Sequence, residues 1–147
     1  MERGNIIRKG CLKLAISYIK TTSNGVKILI AEDEHALSEV VKEEFKAEGF
    51  DVNVAKNGEE ALSMAKKIHP DAMLLDLIMP KKSGLDVLKE IKEDSALRDM
   101  PVIILSNLAD DENIKKGLAL GAVDYFVKTQ HSVYEVIEKV QKYLQKK

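Results

Sequence analysis

The chain of 147 residues holds a single cysteine, Cys11. One thiol rules out an internal disulfide, and without a C-x-x-C pair there is no thiolate metal site, so a reducing cytoplasmic setting is the default expectation. Long apolar runs are missing too. No stretch reaches the roughly 18 apolar residues that a spanning helix needs, so no membrane insertion is expected. Histidine is scarce, and His35, His69 and His131 lack the spacing of metal ligands. Excess positive charge is missing from most of the chain. Residues 1–25 set Arg3, Arg8, Lys9, Lys13 and Lys20 against Glu2, a net +4, while the remaining 18 basic and 23 acidic residues leave −5. A main domain of that sign has no bulk basic character, and no nucleic-acid partner is expected for it.

What is present, 45% hydrophobic and 32% charged residues, suits one globular domain with a sizeable core. Residues 1–25 read as a basic, weakly amphipathic extension, because Lys13 interrupts the short apolar run "CLKLAISYI" and "TTSNG" resembles a linker. This extension is either a functional arm or the product of a start placed upstream of Val26. The main domain is expected over 26–147. Its hydrophobic period switches repeatedly between two and about 3.6. "VKILIA", "FDVNVA", "AMLLDL", "PVIILS" and "VDYFVK" read as strands. Helices follow each: one through Leu37, Val40, Val41 and Phe45, one capped by Asn57 with Glu60 three residues on, one through Leu85, Leu88 and Ile91, a short "DDENIKKGLALG" weakened by Gly117, and a last one opened by Ser132 and Glu135 with a stripe of Val133, Val136, Ile137, Val140 and Leu144.

Five strand–helix units predict an α/β fold, a five-stranded parallel sheet with helices on both faces. Function in such sheets gathers at the carboxyl ends of the strands. There the sequence places Glu32, Asp33 and Glu34 after the first strand, Asp76 after the third, Ser106 and Asn107 after the fourth, and Lys128 and Thr129 after the fifth. Asp76, within "DAMLLDLIMPKKSG", is an acid at the end of an apolar strand and needs compensation. Asp33 and Asp76 held together repel one another, and a hard divalent cation such as Mg²⁺ relieves that with oxygen ligands. Asp76 is then a candidate nucleophile toward a phosphoryl group, with Lys128 neutralising charge and Ser106 donating a hydrogen bond.

The segments "ILIAEDE", "DLIMPKKSG", "IILS" and "DYFVK", in this order and spacing over residues 26–146, resemble the receiver domain of two-component response regulators. The resemblance implies a flavodoxin-like (βα)5 fold with strand order 2-1-3-4-5. It also implies Asp76 as phosphoacceptor, Asp33 as a direct Mg²⁺ ligand, Glu32 reaching the metal through water, and the Ile78 backbone carbonyl completing the metal shell. Ser106 and Lys128 would contact the phosphoryl group, and Tyr125 would be the switch aromatic. Implied partners are a sensor histidine kinase or phosphotransfer protein as donor and a downstream target protein as reader. The reader would bind the fourth helix, fifth strand and fifth helix around Ile114, Lys115, Tyr125 and Val133. A monomer or weak dimer is expected, with no enzymatic activity beyond Mg²⁺-dependent self-phosphorylation and slow autodephosphorylation. Because the chain stops at Lys147, output is expected to pass through a separate partner.

Each residue alone has a plainer reading: Asp33 as a helix cap, Ser106 as a loop hydroxyl, Lys128 as a solvated lysine, Tyr125 as packing. Three departures from the family pattern stand out, namely Glu32 in place of an aspartate, Asn107 in place of a small residue, and Thr129 in place of the usual proline. With Thr129 the preceding peptide bond is expected to be trans, since a cis bond there costs about 3 kcal/mol. These departures keep a second reading open, a degenerate receiver acting as an unphosphorylated interaction module. A hydrolase of related scaffold would need an acid where Ile78 stands. A flavin carrier would need a phosphate loop where "AEDEHA" would repel one.

Overall fold

The computed structural model describes residues 25–145. The basic extension read over 1–25 therefore lies, apart from Gly25, outside the described residues. Five strands, β1 (Lys27–Ala31), β2 (Asp51–Ala55), β3 (Ala72–Leu75), β4 (Val102–Ser106) and β5 (Asp124–Val127), alternate with α1 (His35–Ala47), α2 (Gly58–Ile68), α3 (Gly84–Glu93), α4 (Asp111–Ala119) and α5 (Val133–Gln145). The strands pair in parallel in the order β2-β1-β3-β4-β5, as the receiver resemblance implies. No described helix is long and apolar enough to cross a membrane.

Strand residues alternate between two buried layers, the period-two consequence of the pleat. Leu29, Met73, Leu75, Val102 and Ile104 pack under α2 and α3, which supply Ala61, Leu62, Ala65, Val87, Leu88 and Ile91. Ile28, Ile30, Leu74, Ile103 and Phe126 pack under α1 and α5, which supply Val41, Phe45, Val136, Ile137 and Val140. Val40 departs from the expected stripe. It is 54% exposed, because Leu37, Val41 and Phe45 already fill the sheet-facing side of α1 and Val40 lies one position round from Val41.

Local signals set the helix starts. Asn57 accepts from the Glu60 N–H at 2.8 Å, while the Glu60 carboxylate turns to the Lys56 N–H instead of closing the box on Asn57. The box on α5 does close, with Ser132 and Glu135 exchanging bonds of 2.9 and 3.2 Å. Two caps have no counterpart in the sequence reading: Ser83 accepts from the Asp86 N–H on α3, and Asp110 from the Asn113 N–H on α4.

Candidate functional site

Register assembles the site. Ala31 lies opposite Leu75, so the next residue of each strand, Glu32 and Asp76, emerge side by side, and the Asp76 N–H donates to the Ala31 carbonyl at 3.0 Å. Ser106 lies opposite Val127, so Lys128 follows directly beyond it, its N–H donating to the Ser106 carbonyl at 2.9 Å. The chain leaves β1 toward β2 and returns to β3 on the other side, which opens a crevice at these ends. Among the described residues four polar side chains are buried, and three of them, Glu32, Asp76 and Ser106, sit on this rim.

The side chains converge. Lys128 Nζ donates to Glu32 Oε1 at 2.5 Å and to Asp76 Oδ2 at 3.1 Å. The Ile78 N–H donates to Asp76 Oδ1 at 3.3 Å, and the Glu34 N–H to Glu32 Oε2 at 3.1 Å. Asp33 is exposed at the same mouth, and one oxygen from each of Glu32, Asp33 and Asp76 falls within a 4.8 Å cluster. Ser106 Oγ accepts from the Leu108 N–H at 3.4 Å, so its own proton can still be donated. The Tyr125 hydroxyl donates to the Leu108 carbonyl at 2.6 Å. A cavity of about 320 Å³ opens between Glu32, Asp33, Asp76, Ile78, Ser106 and Lys128, with Glu34 and Asn107 on its edge. A larger hollow of about 430 Å³ runs along α5, but none of the strand-end groups reaches it.

Charge in this crevice is unbalanced, the carboxylates of Glu32, Asp33 and Asp76, with Glu34 beside them, against one ammonium. Burial pushes the Glu32 carboxyl above its ordinary range and outweighs the hydrogen bonds from Lys128 and Glu34 that pull it down, and nearby Asp76 adds to the rise. Burial pulls Lys128 down, but its hydrogen bond to Glu32 and the charge of Asp76 prevail, so its ammonium is held above its ordinary value and stays charged. Burial likewise raises Tyr125, against a hydrogen bond with Ser106 that lowers it. Hard oxygen donors in excess of positive charge, open to solvent on one side, match what Mg²⁺ requires, namely one or two carboxylates with room for water and phosphate oxygens.

All the strand-end residues named from sequence except Thr129 thus line one cavity, and Ile78 lines it too while standing 61% exposed. No peptide bond among the described residues is cis, in line with the trans bond expected before Thr129. Gly84 closes the "DLIMPKKSG" segment but is given no role by the sequence. A Cβ there would overlap the Asp76 carbonyl oxygen and lie 2.6 Å from Leu77 Cα, so only glycine lets the start of α3 seat against the backbone that carries Asp76. The available signal is the "SG" pair ahead of α3, a cap followed by a residue without a side chain.

Residues 28–141 match the family model described as "Response regulator receiver domain". Among curated proteins, the "Probable transcriptional regulator ycf27" of Porphyridium aerugineum is 42% identical over 102 residues, which is 69% of this chain and 41% of that protein. The "DNA-binding response regulator MtrA" of Mycobacterium leprae is 34% identical over 102 residues, 69% of this chain and 44% of that protein. The chain thus spans about two fifths of the length of these relatives. Among solved structures, the receiver domain of the Francisella response regulator 1452 aligns with a TM-score of 0.77 at 33% identity, covering 83% of this chain and 98% of that one. The CheX-CheY-BeF3-Mg+2 complex from Borrelia burgdorferi aligns with a TM-score of 0.76 at 28% identity, covering 84% and 92%.

These relatives correct one expectation. The −5 of the main domain argues against a nucleic-acid partner, yet the similar proteins are named as transcriptional and DNA-binding regulators. The charge balance of a receiver reports on its own surface and carries no information about the rest of such a regulator, so the exclusion fails. The parallel 2-1-3-4-5 sheet, the acids and lysine converging at its carboxyl edge and the match over 28–141 agree, and the chain belongs to the response regulator receiver domain family.

Proposed function

We propose that the receiver, occupying residues 26–147 with 1–25 as an extension outside it, accepts a phosphoryl group on Asp76 from a sensor histidine kinase or phosphotransfer protein. A carboxylate oxygen of Asp76 attacks phosphorus, the bond from phosphorus to the donor nitrogen breaks, and the electron pair leaves with the donor imidazole. An acyl phosphate remains on Asp76. Lys128 neutralises a phosphoryl oxygen and Ser106 donates its hydroxyl proton to another. Glu32, Asp33, Asp76 and the Ile78 carbonyl would hold Mg²⁺, which when bound supplies positive charge against the phosphoryl oxygens. The observation that carries the reading is Asp76 itself. It is a carboxylate 7% exposed, held between the Lys128 ammonium and the Ile78 N–H, and it faces an open cavity lined by the Ser106 hydroxyl. BeF3 and Mg+2 are components of the similar Borrelia complex, which supports both groups.

Output passes by contact with a downstream protein, with Tyr125 as the switch aromatic on a surface made by α4, β5 and α5 around Ile114, Lys115 and Val133. The test is phosphate incorporation from acetyl phosphate, with and without Mg²⁺. Wild type is expected to be labelled only with Mg²⁺, and Asp76→Asn not at all. A folded wild type that takes no label with Mg²⁺ would leave the unphosphorylated interaction module as the correct reading.

A further inference from the structure

Helix α4 meets the sheet through a glycine. Gly117 is its single buried residue, and a Cβ built there would overlap Ile104 Cδ1 and stand 3.6 and 3.8 Å from the Tyr125 ring carbons Cδ2 and Cε2. Ile104 is fully buried on β4, so its Cδ1 is enclosed by packed neighbours and has little room to swing aside. Glycine inside a helix is otherwise unfavourable relative to alanine. The close approach explains its presence. It brings the α4 backbone onto the ring whose hydroxyl donates to the Leu108 carbonyl, and Leu108 in turn donates its N–H to Ser106 Oγ.

We infer that Gly117 is a positioning residue for the phosphoryl site. By allowing α4 to lie directly on Ile104 and the Tyr125 ring, it keeps the Tyr125 hydroxyl on Leu108 and thereby fixes the loop that aims the Ser106 hydroxyl. Gly117 touches no reacting atom and acts on Ser106 through three successive contacts, by way of Tyr125 and Leu108. This inference rests on the phosphoryl-transfer reading for its consequence on rate but not for its geometry.

Two properties of Gly117→Ala have opposite signs, which makes the inference decidable. If α4 were not seated on Ile104, the better helix former would stabilise the protein. If it is seated, the added methyl drives α4 from the sheet, and deleting the obstructing Cδ1 with Ile104→Val makes room for it. The experiment compares wild type, Gly117→Ala, Ile104→Val and the double variant, each also with Tyr125→Phe. The first readout, in unphosphorylated protein without Mg²⁺, is the Leu108 carbonyl carbon shift by NMR, which reports the hydrogen bond it accepts. Gly117→Ala is expected to move this shift toward the Tyr125→Phe value, and adding Ile104→Val is expected to return it.

The second readout is the rate of labelling by acetyl phosphate with Mg²⁺. Gly117→Ala is expected to slow it about tenfold, within the roughly 10²-fold that a 1 Å misplacement can cost. The double variant is expected to recover to the Ile104→Val rate, and Gly117→Ala to add nothing in the Tyr125→Phe background. A Gly117→Ala protein that is more stable than wild type with an unmoved Leu108 shift would overturn the inference. So would a defect that Ile104→Val does not relieve. If wild type takes no label, the phosphoryl-transfer reading fails while the NMR comparison still decides the geometry.

Discussion

Helix α3 buries Val87, Leu88 and Ile91 completely, and its first residue sits against the backbone of Asp76, whereas α4, next along the same face of the sheet, buries only Gly117 and leaves Leu118 45% exposed. Both helices begin with a side-chain cap, so the difference lies in packing. The α3 stripe anchors the Asp76 side of the crevice to the core. The hydroxyl side, which carries Ser106 and Leu108, leads into a helix held mainly by a close backbone approach. Rigidity is thus concentrated behind Asp76, and the Ser106 side, which leads into α4, is the more easily displaced.

The sharpest way to break this comparison is to truncate each helix. Ile91→Ala removes a fully enclosed side chain and is expected to destabilise the protein by about 3 kcal/mol, within the range for such truncations. Leu118→Ala is expected to change stability by less than about 0.5 kcal/mol, as exposed substitutions do. Urea midpoints at constant slope decide, and equal losses would mean that α4 is packed as firmly as α3.

The loops ahead of the two helices give a second contrast. Ile78 before α3 overhangs the cavity at 61% exposure, while Leu108 before α4 packs against the core layer under α2 and α3. Hydrolysis of an acyl phosphate needs a water lined up behind phosphorus, and an aliphatic overhang neither holds nor admits one. Ile78→Asn together with Leu108→Glu is expected to speed phosphate loss by up to about 10²-fold, the scale of general acid-base positioning. Most of that gain is expected from Ile78→Asn alone, since Leu108 faces inward. Phosphate release after removal of the donor, in Mg²⁺, measures it. Wild type decaying as fast as the double variant would show that the aliphatic pair does not set the lifetime.

A third and subtler contrast comes from the caps. Ser83→Ala and Asp110→Ala are each expected to cost about 1 kcal/mol. The local outcome should differ, because α3 retains its buried stripe and α4 does not. Hydrogen exchange is expected to rise throughout the first turns of α4 in Asp110→Ala and to stay close to wild type in α3 of Ser83→Ala.

Strand and helix positions, the parallel sheet and the residues at the strand ends could all be read from the amino-acid order. The reason is that hydrophobic period, caps and strand ends are properties of neighbours in the chain, and a parallel βαβ repeat leaves one edge where the ends of the strands collect. Glu32, Asp33, Asp76, Ser106 and Lys128 therefore collect at that edge, and the strand order that the resemblance implies makes them neighbours there. What tertiary structure alone decided are distances between segments far apart in sequence. Lys128 bridges both Glu32 and Asp76, Val40 turns to solvent, Leu108 turns inward, and Gly84 and Gly117 are places where a helix backbone approaches the sheet more closely than any Cβ would allow. A glycine's own neighbours show only that a side chain is missing; the atom that would have met it, Ile104 Cδ1 for Gly117 and the Asp76 carbonyl oxygen for Gly84, is brought there by the packing of each helix on the sheet and the loop beyond β3.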